Sequence, residues 1–271
     1  GQNPARQASI NAGIPKEKPA YIVNQVCGSG IRSVVSGFQS IKSADSNIII
    51  AGGQENMSLA PHAIHLRDGK KLGDTQMMDT MIKDGLWDAF HGYHMGITAE
   101  NVATKFQVTR DQQDKFAFNS QEKALKAQKE NKFKDEISNF KIKLKKTEVD
   151  FNKDEHPREG ITLEALTRLK PVFQKDGSVT AGNASGINDG AAVVTLMSNK
   201  EADKRGLDKL VSIKSWASCG VDPALMGTGP IPSVKKALDL AGWSVKDLDL
   251  FEVNEAFAAQ SIAVLKTLSI P

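Results

Sequence analysis

Tyr21-Ile22-Val23-Asn24-Gln25-Val26-Cys27-Gly28-Ser29-Gly30 is an apolar, β-like run that ends in a cysteine and two glycines, and with the residues on its C-terminal side it decides the fold. From residue 29 onward, Ile31, Val34, Val35, Phe38 and Ile41 recur at the spacing of a helix that lays one face on a sheet. Residues 47–51 are continuously apolar after Asn47 and are closed by Gly52-Gly53, as expected of a strand buried on both faces. Strand, helix and strand in this order predict a βαβ unit with parallel strands and a right-handed crossover. At the corner between strand and helix, Cys27 admits two readings. Unpaired N–H groups and the helix dipole favour a thiolate there, and Gly28 and Gly30 let another backbone or a ligand come close. A free cysteine is equally a small apolar residue suited to a buried, tight corner.

The composition describes an ordinary globular chain. Its 271 residues can form one large composite domain or two to three smaller ones. Hydrophobic content of 40% and charged content of 25% are unremarkable, and no apolar run is long enough to cross a bilayer. A net charge of +3 gives no argument for nucleic acid or a membrane surface as partner. Two cysteines, Cys27 and Cys219, point to a reducing compartment rather than a disulfide framework, with the cytoplasm as the expected location. The chain opens without a methionine or a signal-peptide pattern and stops just after a helical pattern. We therefore expect a fragment, whose missing start could have carried a targeting peptide.

Further along, a short helix is expected over 3–12. Residues 57–92 lose any steady period, as a long functional or subunit-packing excursion does. Helices come next over 98–103 and from 110 to about 131, the second capped by Thr109. Alternation over 141–149 predicts a half-exposed strand, and 162–169 a helix. A run of small and turn-forming residues, 180–190, leads into a strand over 191–197. Then come a helix over 201–205, strands over 210–218 and 248–253, and helices over 234–241 and 255–268. The strand-corner-helix stretches around Cys27 and Asn254 are weakly alike, which hints at a duplicated architecture.

Four features could carry chemistry. Asn254 falls where a predicted strand meets a predicted helix, the edge at which ligands gather in α/β sheets. Its amide could fix a water or donate to an oxyanion, or it could simply cap the helix. Segment 180–190 offers exposed N–H groups and the hydroxyls of Thr180 and Ser185 to a ligand approaching the backbone, or serves as a tight turn. His62-Ala63-Ile64-His65 and His91-Gly92-Tyr93-His94 have metal-like spacing, but neither lies in a clear helix and neither has a third ligand nearby, so no metal is expected. The basic span 123–146, with His156 and Arg158, is a solvated face unless an arginine there meets a phosphate.

Taken together, these stretches resemble the thiolase family, and within it the short-chain, biosynthetic-type acetyltransferases. The resemblance runs along the whole chain: Asn24-Gln25-Val26-Cys27-Gly28-Ser29-Gly30, Gly52-Gly53-Gln54-Glu55-Asn56-Met57-Ser58, Asn183-Ala184-Ser185-Gly186-Ile187-Asn188-Asp189-Gly190-Ala191-Ala192 and Asn254-Glu255-Ala256-Phe257-Ala258 stand in the family's order. It implies an α/β fold of two similar βαβαβ halves, in α/β/α/β/α layers, with an inserted loop domain and incomplete at both ends. Residues 1–58 and 184–200 would belong to the N-terminal domain, 59–183 to the inserted loop domain and 201–271 to the C-terminal domain. The implied activity is that of an acetyl-CoA C-acetyltransferase, the reversible condensation of two acetyl-CoA to acetoacetyl-CoA and CoA through an acetyl-cysteine.

By position, the resemblance makes Cys27 the nucleophile and gives Asn254 a water that stabilises the thioester oxygen. Ser185 would contact the pantetheine arm, Arg158 the adenine and phosphate end, and His94, Met95, Phe173 and Met226 the pocket walls, with Ala181 and Ala256 also against substrate. His94-Met95 and Met226 look like the short-chain members, whose bulky side chains leave little room beyond an acetoacetyl group. Coenzyme A thioesters are the implied substrates, with no further cofactor, and residues 57–80 resemble the loop through which such enzymes form homotetramers, as dimers of dimers. Cys219 has no counterpart and reads as a packing residue.

A thiolase also uses a histidine in a Gly-His-Pro segment and a second cysteine in a Cys-x-Gly-Gly-Gly segment, and neither occurs in this sequence. These 271 residues alone are therefore expected to be inactive and incompletely folded. A degradative 3-ketoacyl-CoA thiolase for longer chains, or a catalytically incomplete acyl-CoA-binding scaffold, is the alternative.

Overall fold

The computed structural model describes residues 1–270. In chain order its elements are α1 (Pro4–Asn11), α2 (Ser29–Lys42), β1 (Ile48–Asn56), β2 (His62–Ala63), β3 (Met78–Asp79), β4 (Trp87–Asp88), β5 (Tyr93–His94), α3 (Met95–Lys105), α4 (Arg110–Lys129), β6 (Phe140–Lys143), β7 (Glu148–Phe151), α5 (Leu163–Thr167), β8 (Asp189–Met197), α6 (Asn199–Arg205), α7 (Pro230–Ala241) and α8 (Ala258–Leu268). They fall into two compact units, 1–81 with 188–214, and 82–187 with 215–271. Among the described residues no helix is long and apolar enough to cross a membrane.

The first unit is built on β1, whose isoleucine-rich start makes a strand where a partner is at hand. That partner is β8, and the pairing is antiparallel, with Ile48 opposite Met197 and Asn56 opposite Asp189. Helix α2 packs on one face of this pair, so closely that a Cβ on Gly37 would come within 2.8 Å of Ile49 and Leu196 side-chain carbons. The Ser33 hydroxyl donates to the Gly52 carbonyl at 2.8 Å and ties helix to strand. Gly52 is required by the pairing itself, since a Cβ there would strike the Ala192 carbonyl oxygen and come within 2.8 Å of Val193 Cα. Beyond the pair, the side chain and backbone N–H of Ser58 both donate to Asp189, joining the end of β1's extension to the start of β8. These two hydrogen bonds hold the Asp189 carboxyl below its ordinary value.

Two expectations change here. Residues 48–51 are covered on one face only: Ala51 is buried, whereas Ile48, Ile50 and Val193 on the opposite face are exposed. The parallel βαβ unit does not form, because residues 21–26 make no strand and run as irregular chain into a 3-10 turn, Val26–Gly28. The same holds for 210–218 and 248–253, which have strand-like composition but no hydrogen-bonded neighbour strand among the described residues. A strand is completed by its ladder, and apolar alternation alone does not supply one.

The second unit is mainly helical, around α8, whose Ala258, Ala259, Ile262, Ala263 and Val264 are buried. Helix α3 and the 3-10 segment Pro223–Thr228 pack against α8, as does α4, which also meets α5. The Thr109 cap is present in full: its hydroxyl accepts from Gln112 N, and the Gln112 side chain accepts from Thr109 N. The single strand expected over 141–149 is instead the hairpin of β6 and β7, which turns back between Lys143 and Glu148 and sets Ile142 opposite Val149.

Candidate active site

In the first unit, Cys27 is a free, exposed thiol in the turn that feeds α2, so the buried-corner reading does not hold. The corner is strained. Val26 has φ 49°, a left-handed conformation that β-branched residues avoid. Short hydrogen bonds hold it there: Val26 N donates to Asn24 Oδ1 at 2.9 Å, Gln25 N to Ser29 Oγ at 2.8 Å, and Ser29 Oγ to the Val26 carbonyl at 2.7 Å. Gly28 then starts α2 with no side-chain cap.

In the second unit, β4 and β5 pair antiparallel, with Trp87 opposite His94 and Asp88 opposite Tyr93. Asp88, only 2% exposed, folds the connecting turn by accepting from Phe90 N at 2.8 Å and from the His91 ring at 2.8 Å. Burial opposes its charge, but these hydrogen bonds outweigh burial and hold the carboxyl below its ordinary value.

The hairpin delivers His94 to the start of α3, where its Nδ1 accepts from Gly96 N at 3.0 Å. Nε2 therefore carries the hydrogen of the neutral ring, and burial lowers the ring's pKa below 6.5. His94 stacks on Phe173 with centroids 4.6 Å apart, and Phe173 meets Phe257 edge-on at 6.5 Å. A Cβ on Gly96 would sit inside the Phe173 ring, so glycine there admits the stack.

Met95, Phe173, Ala184, Met226 and Ala256 all pack against the core formed by Ala99, Val179 and Phe257. The proposed wall residues His94, Met95, Phe173 and Met226 are thus brought together with Ala256 from separate stretches of sequence. Asn101 Nδ2 donates to the Ala224 carbonyl at 3.1 Å and fixes the segment bearing Met226.

Ser185 joins this group through the backbone. Its N–H donates to the Ala256 carbonyl at 3.0 Å, Ala258 N–H donates to the Asn183 carbonyl at 2.9 Å, and Ala184 bridges Phe257 antiparallel. Asn254 lies two residues before Ala256, exposed, in irregular chain. It does not cap a helix, because α8 begins only at Ala258 with Phe257 at its cap position. The neighbouring Glu255 accepts from the Ser120 hydroxyl of α4 at 2.7 Å, which anchors this stretch.

Ala181 is an exposed turn residue. Arg158 stands apart from the cluster, exposed, with its backbone N–H donating to Gln121 Oε1 at 3.0 Å. Among the described residues no three His, Cys, Asp or Glu side chains gather as metal ligands.

Sequence reasoning missed the polar groups beneath this site. Glu100 and Asp114 are buried at 4% and 0% exposure, and Asn183, at 3%, belongs to a family motif that assigns its side chain no role. The available signal was an acidic residue among small and uncharged ones, Thr98-Ala99-Glu100-Asn101-Val102-Ala103, in a predicted helix.

With this geometry in view, comparison with known proteins is unambiguous. Residues 1–200 match the thiolase N-terminal domain and residues 207–271 the thiolase C-terminal domain. The chain belongs to the thiolase family. It is 59% identical to the acetyl-CoA acetyltransferase of Rhizobium meliloti over 268 residues, 99% of this chain and 68% of that protein. It is 52% identical to the cytosolic acetyl-CoA acetyltransferase of Rattus norvegicus, covering 100% of this chain and 68% of the relative. The crystal structure of the Bacillus anthracis acetyl-CoA acetyltransferase superposes with a TM-score of 0.97 at 45% identity, again over 100% of this chain and 68% of that one.

Proposed function

We propose that this chain carries acyl-transfer machinery of an acetyl-CoA C-acetyltransferase. The Cys27 sulfur attacks the carbonyl of acetyl-CoA, the C–S bond to coenzyme A breaks, and CoA leaves as the thiol with the proton lost from Cys27. A second acetyl-CoA gives up an α-proton, and its enolate carbon attacks the acetyl-cysteine. As the new C–C bond forms, the bond between the acetyl carbonyl carbon and Cys27 Sγ breaks, which releases acetoacetyl-CoA, and the proton given up by the second acetyl-CoA returns Cys27 to the thiol. The observation that carries this reading is the gathering of His94, Met95, Phe173, Met226 and Ala256 on one core, with Ser185 laced to the chain two residues past Asn254.

In this reading Asn254 holds the water that stabilises the enolate oxygen, and Ser185 meets the pantetheine arm with Ala181 and Ala256 beside it. Arg158 takes the phosphate end, and the His94–Phe173 stack limits the acyl chain. Coenzyme A thioesters are the substrates and no further cofactor is required. The Gly-His-Pro histidine and the Cys-x-Gly-Gly-Gly cysteine of the family are not among these residues, so the 271-residue chain by itself does not complete the cycle.

The division into 1–58 with 184–200, 59–183 and 201–271 belongs to the same proposal. It is supported by the β1–β8 pairing, which closes the two pieces of the first domain on each other. A homotetramer is supported by the exposed arm around β2 and β3, which carries Leu59, Leu66, Leu72 and Met77. The cytosolic rat relative supports a cytoplasmic location.

The test is mass spectrometry of the natural full-length protein after treatment with acetyl-CoA. Acetylation of Cys27, and loss of turnover in Cys27→Ala, are expected. An unmodified Cys27, or full activity in the variant, overturns the mechanism. Equal turnover of acetoacetyl-CoA and a long-chain 3-ketoacyl-CoA overturns the short-chain assignment.

A further inference from the structure

We propose that Glu100 is a positioning residue for the coenzyme A thioester: through Ser178 and Val179 its buried carboxyl group sets the place of the segment that bears Ala181 and Ser185. The inference rests on the functional reading of that segment given above. Glu100 Oε1 accepts from Ser178 N and Val179 N, both at 2.7 Å, while Oε2 accepts from the Ser178 hydroxyl at 2.8 Å and Ser178 N at 3.0 Å. A carboxyl group in an apolar interior is costly unless its oxygens are filled, and here every filling donor comes from one two-residue stretch. Gln113, itself fully buried, donates to the same Ser178 hydroxyl at 2.9 Å and fixes its orientation.

Gly177 supports the same conclusion independently. Its φ is not in the left-handed region, so the backbone does not demand glycine. The space does, because a Cβ there would fall on Glu100 Oε1 and lie 3.0 Å from Cδ. The carboxyl group occupies the volume that a side chain at 177 would fill.

The reach of this clamp is set by the two ends of the segment. Glu100 sits on α3, the helix that starts with the wall residues His94 and Met95. Beyond Val179, the segment is held at Asn183, whose amide donates to Asp114 at 2.9 Å and to the Ser178 carbonyl at 3.1 Å and whose oxygen accepts from Thr180 N at 2.8 Å. It then zips to 256–258 just past Asn254. Helix α3 therefore acts as a gauge with the acyl wall at one end and the pantetheine loop bolted to its middle.

The experiment is steady-state kinetics on the natural full-length protein carrying Glu100→Gln. The amide cannot accept all four hydrogen bonds, and KM for acetyl-CoA is expected to rise about tenfold, with kcat within about threefold of wild type. Iodoacetamide alkylation of Cys27 and cooperative thermal unfolding should be unchanged. Gly177→Ala, which displaces the carboxyl group without altering its charge, should give the same rise in KM. In a Glu100→Ala background the added methyl has room, so Gly177→Ala should cause no further change.

Wild-type KM in both single variants overturns the inference, as does additivity of the two positions. A KM rise matched by equal losses of kcat, Cys27 alkylation and unfolding cooperativity also overturns it, since that pattern marks a general fold defect. If the unmodified protein is not acetylated on Cys27 by acetyl-CoA, the functional reading itself fails, and the inference with it.

Discussion

Asp114 is the carboxylate on which the second unit most visibly depends, and replacing it gives a graded test of the packing around α4. Its side chain is 0% exposed, accepts from Arg110 Nε at 2.6 Å, and accepts from the Asn183 amide at 2.9 Å. Arg110 in turn donates to the Leu166 and Leu169 carbonyls, each at 2.9 Å, so one ion pair joins α4, α5 and the segment bearing Ser185.

Asp114→Ala strands two donors at once. Removing one partner of a buried pair costs about 3–5 kcal/mol. Arg110 is 26% exposed and can recover some hydration, so we expect the lower end, about 3 kcal/mol. Asp114→Asn retains an acceptor for one donor and should cost about 2 kcal/mol. At roughly 2–4 °C per kcal/mol for a chain of this size, Asp114→Ala should melt about 6–12 °C below wild type. Urea unfolding followed by circular dichroism should show a lower midpoint at unchanged slope. The reasoning fails if Asp114→Ala stays within about 1 kcal/mol of wild type, the worth of an exposed ion pair, or if Asp114→Asn is the more damaging change.

The site itself offers two more tests. His94 accepts the Gly96 amide only while neutral, and burial sets its folded pKa below the ordinary 6.5. Its contribution to stability is therefore complete above that ordinary value and is lost as pH falls through the lowered one. His94→Asn keeps a cap without a titrating group, so it should flatten unfolding free energy against pH in this range; an identical slope would refute the assignment. Val26→Gly should relieve about 1–2 kcal/mol of left-handed strain and return about 0.5–1 kcal/mol to unfolded-chain entropy, leaving a net gain of about 1 kcal/mol or less. It should also slow iodoacetamide alkylation of Cys27, and a variant destabilised by more than about 1 kcal/mol would contradict the strain argument.

Local patterns in the sequence are legible wherever a segment decides its own structure. The periodicity of Ile31, Val34, Val35, Phe38 and Ile41 marks α2, and Thr109 with Gln112 marks the start of α4. What escapes depends on residues far apart. The partner of 48–56 lies at 189–197, and nothing in either run states that they pair, or that they pair antiparallel. Residues 248–253 read as a strand because apolar residues dominate them, and Asn254 then reads as a helix cap, yet the helix starts four residues later. In the site, Phe173 and Met226 are reached only through the family resemblance, since a methionine or phenylalanine alone looks like any core residue. The Glu100 and Asp114 clamps are invisible because a buried acid and an exposed one are the same letter.

The β1–β8 pair also has a temporal consequence. Residues 57–188 separate the two strands in the chain, so a ribosome must finish that stretch before the pair can close. Bringing the ends of such a length together costs about 4 kcal/mol of loop entropy before any contact repays it. Until then, the Ile48-Ile49-Ile50 run presents an unpaired edge for which other chains can compete. When closure comes, the close fit of Gly52 against Ala192 and Val193 disfavours the slip that would put Ala51 in its place. This sheet is therefore slow to form and decisive once formed, and folding yield should respond more to the time between the two strands' synthesis than to the stability of either unit.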